Sequence, residues 1–411
     1  MSYSAETTRL AVDGGSPVRT APFPKWPVYG AEEEKALLDV LHSGVWGIGG
    51  EAGKAFSERF AAFQNAKHCV LVPNGTIALE VALHACGISY GDEVIVPPYT
   101  FVATASAVLT VGAIPVFADV DADTYLLDAG RVEALISERT KAIIPVHVAG
   151  CPADLDAFKD IARRHNLIII EDACQAHGAA WNGRRVGAIG NIGAFSFQSS
   201  KNITAGEGGA VVGDDDELME AAWSYHNVGR VRSGRWYQHE RLGSNARISE
   251  WQAAILLAQM PRVEQQMALR EKNAALLNQM LSEIPGIRPM KRDPRVTTHA
   301  YHLYMFRYDS AAFGGKSRAD FIGALTAEGI PCSSGYVPLY RENAVIDACK
   351  KVNALVRREP VSLEENIARC PVTERICAQE AVWLTQNMLL ATDQDMHDIA
   401  TAISKIQRAW Q

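Results

Sequence analysis

Four short segments of this 411-residue chain bring together residue types that do chemistry in company. In IIIEDACQAHGA, Ile168 to Ala179, an acidic pair closes the most apolar run of the sequence. A carboxylate in such surroundings is costly unless it is paired or hydrogen-bonded, so Asp172 needs a partner. The protonated nitrogen of a pyridinium ring would serve, and keeping that proton in place makes the ring an electron sink. Gln175, three residues on, could reach an oxygen of the same ring, with His177 in support; alternatively, Asp172 only caps a following helix. In GAFSFQSSKNITAGEGGAVV, Gly193 to Val212, Lys201 sits in the loop beyond a strand. A lysine amine in a partly desolvated pocket has a lowered pKa and becomes a nucleophile, although a lone loop lysine is usually just solvated. Ser196 and Ser200 can donate to a phosphate, and the glycines of AGEGG permit close backbone approach. In PNGT, Pro73 to Thr76, Gly75 and Thr76 open a helix with free amides and a hydroxyl, an anion site or merely a cap. In PPYTF, Phe101, with Tyr99 second, could stack on a flat heterocycle or simply pack in the core. The order distinguishes the set: a phosphate cradle, a stacking ring, an aspartate and a lysine follow one another on successive strand ends.

The elements that must position these residues are legible as patterns. Strands are expected at 69–73, 93–98, 114–120, 142–148, 167–173, 193–198 and 209–213. Several are continuous apolar runs, which suits strands buried on both faces of a mainly parallel sheet. Helical stretches such as TIALEVALHACG and ADLDAFKDIARRHN alternate with them, giving an α/β layered domain. Ligands then sit at the carboxyl ends of the strands. Residues 248–283 turn helical, with Pro261 expected to interrupt or kink the run. The remainder, with AYHLYMFRYD as a strand and SRADFIGALTAEG and DQDMHDIATAISKIQRAW as helices, reads as a smaller α+β domain. The expected division is 1–265 for the large domain with an N-terminal arm and 266–411 for the small one.

Composition narrows the function. The formal net charge of −7 and the lack of a basic stripe argue against nucleic acid as a partner. No run of 18 apolar residues suggests a membrane span, and the N-terminus has no apolar signal core, so a cytoplasmic location is expected. The eight cysteines form no CxxC pair, which suits reduced thiols and no metal site. No GxGxxG follows the first strand, so a dinucleotide-dependent oxidoreductase is disfavoured.

EDACQAHGA, then SFQSSKNITAGEGG, then GSNARISEWQAA resemble the DegT/StrS sugar aminotransferases, which are fold-type I enzymes dependent on pyridoxal 5′-phosphate (PLP). The resemblance runs from about residue 20 to the end. It implies that Lys201 is the Schiff-base lysine, Asp172 the partner of the pyridine nitrogen and Gln175 the contact to the 3′-oxygen. Gly75, Thr76 and Ser196 match the phosphate cradle, and Phe101 the stacking ring. Asn245 matches an asparagine that reaches the phosphate of the neighbouring subunit, which implies a homodimer with shared active sites. The family's dehydratase branch has histidine in place of the lysine; Lys201 therefore favours transamination. A PLP-binding regulator without turnover is disfavoured by the intact set.

The chain departs from nucleotide-sugar members that carry a His-Tyr-x-Pro-Leu-His segment. Here the segment is SSGYVPLYRENAV, with Gly335 and Tyr340 where histidines might stand. Segments such as KNITAGEGG, GSNARISEWQAAILLAQ and CPVTERICAQEAVWLTQNMLLA are more similar to aminotransferases of scyllo-inosose or 2-deoxy-scyllo-inosose and to 3-amino-5-hydroxybenzoate synthase. The implied reaction moves an amino group from glutamine or glutamate to a ketone of a cyclitol or sugar. The alternatives are a dehydrating or ring-aromatising PLP enzyme and an aminotransferase of nucleotide-linked keto sugars. Candidate substrate contacts are Trp46, His147, Tyr336 and Tyr340, with Arg230 and Arg232 as further options.

Overall fold

The structure, a computed structural model, describes residues 9–411. Its centre is a seven-stranded sheet: β1 (His68–Val72), β2 (Glu93–Val96), β3 (Ile114–Phe117), β4 (Thr140–Ile143), β5 (Ile168–Asp172), β6 (Ile192–Ser196) and β7 (Gly209–Gly213). The spatial order is β1-β7-β6-β5-β4-β2-β3. Every pairing from β6 to β3 is parallel, and β7 runs antiparallel to both β1 and β6. Each expected strand is present, so the mainly parallel α/β reading holds. The run 142–148 is shorter than expected, ending at Ile143. Pro145 has no N–H to give the ladder, and only its carbonyl reaches across, accepting from the Asp172 amide at 3.0 Å.

Helices cover both faces, as the crossovers of a parallel sheet require. The ones that shape the site are α1 (Ala31–Ser43), α2 (Glu51–Phe63), α3 (Gly75–Ala85), α4 (Ala103–Thr110), α5 (Leu155–His165), α6 (Asp216–His226) and α7 (Glu250–Ser282). Val70, Val72, Val94, Val96, Ile170 and Val211 form one core with α3 and α4. Phe56, Phe60, Phe195, Phe197, Leu256 and Val263 form the core on the opposite face, with α2 and α7.

Helix α7 settles one half of an expectation, that Pro261 would interrupt the run. It runs through Pro261 without a break. Its packing supplies the reason: Leu256, Met260, Val263 and Met267 are buried along one face, and their burial outweighs the single backbone hydrogen bond that proline removes. The division expected at 265/266 falls inside this helix. Beyond it, β8 (Ile287–Pro289), β9 (Leu303–Tyr308) and β10 (Ala381–Thr385) make a three-stranded antiparallel sheet in the order β8-β9-β10. Helices α8 (Arg318–Ala327) and α9 (Asp393–Trp410) pack on it around Phe306, Phe313, Phe321, Met396 and Ile403.

Candidate active site

The carboxyl ends of β5 and β6 lie side by side, with Asp172 opposite Ala194 in the parallel register. Asp172 is buried, and its Oδ2 accepts a 2.8 Å hydrogen bond from the Thr104 hydroxyl on α4. Thr104 is in turn within 3.1 Å of the Thr100 hydroxyl. The other oxygen, Oδ1, meets only the Cys174 amide, at 3.3 Å. The carboxylate is thus oriented from one side and keeps acceptor capacity on the other. Thr104 is a residue the sequence reading missed; only its place one turn beyond PPYTF hinted at it.

Lys201 follows β6 in a loop held from three directions. Asn202 Nδ2 donates to the Ala300 carbonyl at 2.7 Å. Gln259 of α7 grips Thr204 twice, accepting from its amide at 3.1 Å and donating to its carbonyl at 2.5 Å. Thr204 Oγ1 donates back to the Phe197 carbonyl at 3.0 Å. A flexible side chain therefore starts from a fixed backbone. Burial lowers the pKa of the Lys201 amine from its ordinary value, and the nearby Cys174 and Asp172 oppose the shift in part. A larger neutral fraction at a given pH makes the amine a better nucleophile. Beneath this floor His177 is fully buried, its ring within 5.6 Å of both Phe195 and Phe197. Burial pushes its pKa down to about 3.

The phosphate-cradle residues converge from different strands. Asn74 caps α3 by accepting from the Ile77 amide at 2.9 Å. The remaining amides of the first turn have no intrahelical acceptor. Gly75 lies against Ser196 and Cys174: a Cβ there would sit 2.7 Å from Ser196 Cβ and 2.9 Å from Cys174 Sγ. Gly209 is similarly constrained, since a Cβ would come 2.4 Å from the Asn74 carbonyl oxygen. Thr76 is half-buried on the same turn. Ser200, by contrast, is exposed and gives its hydroxyl to Gln198 Oε1 at 2.8 Å.

Phe101 is 58% exposed just before α4, while Tyr99 is fully buried. Tyr99 joins a second group: its hydroxyl accepts from Trp383 Nε1 at 2.9 Å, and the rings of Tyr336 and Trp383 meet at 4.6 Å. Tyr336 links this group to Gln175, its hydroxyl accepting from Gln175 Nε2 at 2.9 Å. Trp383 and Tyr99 were not singled out as a pair because β10 joins the site only through the fold.

Two expected substrate contacts, Tyr340 and His147, are buried and engaged by protein instead. Tyr340 is buried against Phe117, and its hydroxyl donates to Glu374 Oε1 at 2.8 Å, inside the core that backs β3. His147 is fully buried, with Nε2 on Glu171 Oε2 at 3.0 Å and Nδ1 accepting from the Ala153 amide at 3.0 Å. Both ring nitrogens are therefore engaged by protein, because Glu171 points to the opposite sheet face from Asp172. Trp46 is 52% exposed, tilted on Trp251 at 5.8 Å, with its carbonyl accepting from the Glu250 amide. Asn245 is exposed, with Oδ1 accepting from Arg247 Nε at 2.8 Å. Among the described residues no group of histidine, cysteine and acidic side chains could hold a metal ion.

The donor set fits PLP. A carboxylate with spare acceptor capacity suits a pyridinium N–H, the Gly75 cradle has room only for backbone beside Ser196, and an exposed aromatic face and a pKa-lowered amine stand by. Comparisons with known proteins agree with the geometry. Residues 27–404 match the DegT/DnrJ/EryC1/StrS aminotransferase family. The chain is 40% identical, over 97% of each chain, to an L-glutamine:2-deoxy-scyllo-inosose aminotransferase of Streptoalloteichus tenebrarius. It is 39% identical to the 3-amino-5-hydroxybenzoate synthase of Amycolatopsis mediterranei, over 94% of this chain and 98% of that one. A crystal structure of 3-amino-5-hydroxybenzoic acid synthase superposes with a TM-score of 0.87 at 38% identity, covering 94% of this chain and 99% of that one. The protein belongs to the DegT/DnrJ/EryC1/StrS aminotransferases and is a PLP-dependent aminotransferase.

Proposed function

We propose that the protein carries an amino group from L-glutamine to a ring ketone of a polyhydroxylated cyclitol. The observation that supports this most is the near full-length similarity to the 2-deoxy-scyllo-inosose aminotransferase, together with an intact Lys201, Asp172 and Gln175 set. In this reading PLP, when bound, supplies a carbon that links reversibly to amines and a ring that takes up charge. Lys201 Nζ holds the cofactor at rest. With the donor's amine in its place, the Lys201 amine would be free to take the proton from the donor Cα and to give one back. Asp172 keeps the proton on the ring nitrogen, with Thr104 fixing its angle. Gly75, Thr76 and Ser196 would hold the phosphate, and Phe101 would cover the ring. Tyr336 offers its hydroxyl to the ketone or a neighbouring hydroxyl.

The working form in this proposal is a homodimer. The supporting feature is a run of exposed apolar side chains, Trp236, Tyr237 and Leu242, just before the exposed Asn245. A two-part division near 265/266 and a cytoplasmic location belong to the same proposal; no helix among the described residues is long and apolar enough to cross a membrane.

The test is an absorbance spectrum of the PLP-loaded protein, before and after L-glutamine and L-glutamate separately. Conversion of the visible band by glutamine, followed by recovery with a cyclic polyol ketone, is the expected result. Recovery only with nucleotide-linked keto sugars would overturn the acceptor assignment. The similarity to 3-amino-5-hydroxybenzoate synthase favours a second reading, in which the ring is dehydrated and aromatised. Mass and ultraviolet absorbance of the product separate the two.

A further inference from the structure

His147 lies four residues beyond β4, where the chain makes a tight turn before α5. Its Nδ1 accepts from the Ala153 amide at 3.0 Å, so the ring proton is on Nε2 and is donated to Glu171 Oε2 at 3.0 Å. Glu171 is anchored in turn by the amides of Gly187, Ile189 and Gly190 at 2.6–2.7 Å. The imidazole therefore closes the turn on itself and ties it to the sheet. Inside the turn, Ala149 has φ 58° and Gly150 has φ 91°. A left-handed alanine is strained and persists only where its surroundings dictate it. Here the strained conformation aims one group: the Ala149 amide donates to Gln175 Oε1 at 2.7 Å.

An amide N–H can meet only the oxygen end of a glutamine side chain. The bond therefore fixes which way Gln175 faces. Its NH₂ group is turned outward, and one of the two protons goes to the Tyr336 hydroxyl at 2.9 Å. The second remains available to an acceptor in the pocket. The turn has no slack: a Cβ on Gly150 would come 2.7 Å from the Gln175 carbonyl oxygen and 2.8 Å from Ala300 Cβ.

We propose that His147 is a positioning residue for the cofactor, closing the 147–153 turn so that the Ala149 amide holds the Gln175 NH₂ toward the ring oxygen of PLP. The proposal rests on the reading that Gln175 meets that oxygen. A donor on the oxygen withdraws charge and weakens its hold on the proton shared with the nitrogen that links Lys201 to the cofactor. Without the donor, that nitrogen keeps its proton to higher pH.

The experiment is a pH titration of the visible band of the PLP-loaded protein, with the PLP dissociation constant measured in parallel. Gln175→Ala is expected to raise the midpoint by about one unit, the tenfold change that a hydrogen bond to a charged atom is worth. His147→Phe, which keeps neither ring-nitrogen bond, is expected to raise it nearly as far. His147→Asn, which keeps an acceptor for Ala153, should shift it less, and it supplies the same comparison should the phenylalanine variant fail to fold. In a Gln175→Ala background neither His147 change should add anything. A midpoint that stays at the wild-type value in folded His147 variants while Gln175→Ala moves it overturns the proposal alone. A shift that persists in the Gln175→Ala background overturns it too. An unmoved midpoint in Gln175→Ala overturns the reading of Gln175 itself.

Discussion

The two sides of the pocket are built on different principles. On the cofactor side, Asp172, Ser196 and Lys201 come from the ends of two adjacent parallel strands and the loop that follows, and Gln175 from the turn after the first of them. On the opposite side, Tyr99, Tyr336 and Trp383 meet from β2's trailing loop, an irregular segment and β10. The first arrangement is set by strand register and is insensitive to distant detail. The second exists only where far-apart segments pack correctly, and it touches the first through the Gln175–Tyr336 hydrogen bond; in the proposed function it is the side that would set selectivity among ketones.

That contrast can be tested from its strongest point. Lys201→Ala should lose the visible PLP band and reduce kcat by at least about 10³-fold, because one residue supplies both anchor and base. Retained turnover would break the assignment. Asp172→Asn should keep PLP bound yet slow the glutamine half-reaction about 100-fold, read by single-turnover absorbance, since the charge that stabilises the ring proton is gone. Gly75→Ala should weaken PLP and lower stability by about 1–3 kcal/mol, as a Cβ 2.7 Å from Ser196 Cβ must force the cradle open. Tyr336→Phe should raise KM for the ketone about tenfold with a smaller change for glutamine. Tyr340→Phe should leave both KM values alone and cost about 1 kcal/mol in a denaturant melt, because Glu374 keeps Arg341. Equal effects of the two tyrosine changes on KM would erase the distinction between the two sides.

One further effect, read against pH, concerns His177 beneath the Lys201 loop. The pKa of buried His177 is about 3, against an ordinary 6.5. The unfolded chain therefore binds a proton that the folded one refuses as pH falls below 6.5. Stability from this group is fully present above pH 6.5 and is lost on acidification, by about 2 kcal/mol at pH 5. Wild type should show this loss between pH 7 and 5, and a folded His177→Phe variant should show correspondingly less.

The sequence was most legible where one residue type answers one local demand. Apolar runs marked where β2 to β7 lie, though the runs at 114–120 and 142–148 overshot their carboxyl ends by three and five residues. The order of Gly75, Phe101, Asp172 and Lys201 pointed to a common ligand. Legibility failed where a side chain's direction depends on its neighbour across the sheet. Glu171 and Asp172 are adjacent and alike, yet strand alternation sends one to His147 and the other to the pocket. The same alternation turned His147 from an expected substrate contact into a buried strut. Tyr340 and Tyr336 are four residues apart in an irregular stretch with no period, so nothing local said which would face Glu374 and which Gln175. Pro261 misled because proline's local penalty is fixed while the gain from burying a whole helix face is not.

The antiparallel strand β7 carries a further consequence, for the order in which the chain can assemble. Ser196 pairs with Gly209 across a short loop, whereas His68 must find Gly213 from the far end of the large domain. Closing the short loop loses little chain entropy, and closing the long one loses much more. On chain entropy alone, the hairpin that presents Lys201 is favoured to pair before β1, which completes the Gly75 cradle. In that order the chain acquires its nucleophile before it has anywhere to dock the phosphate.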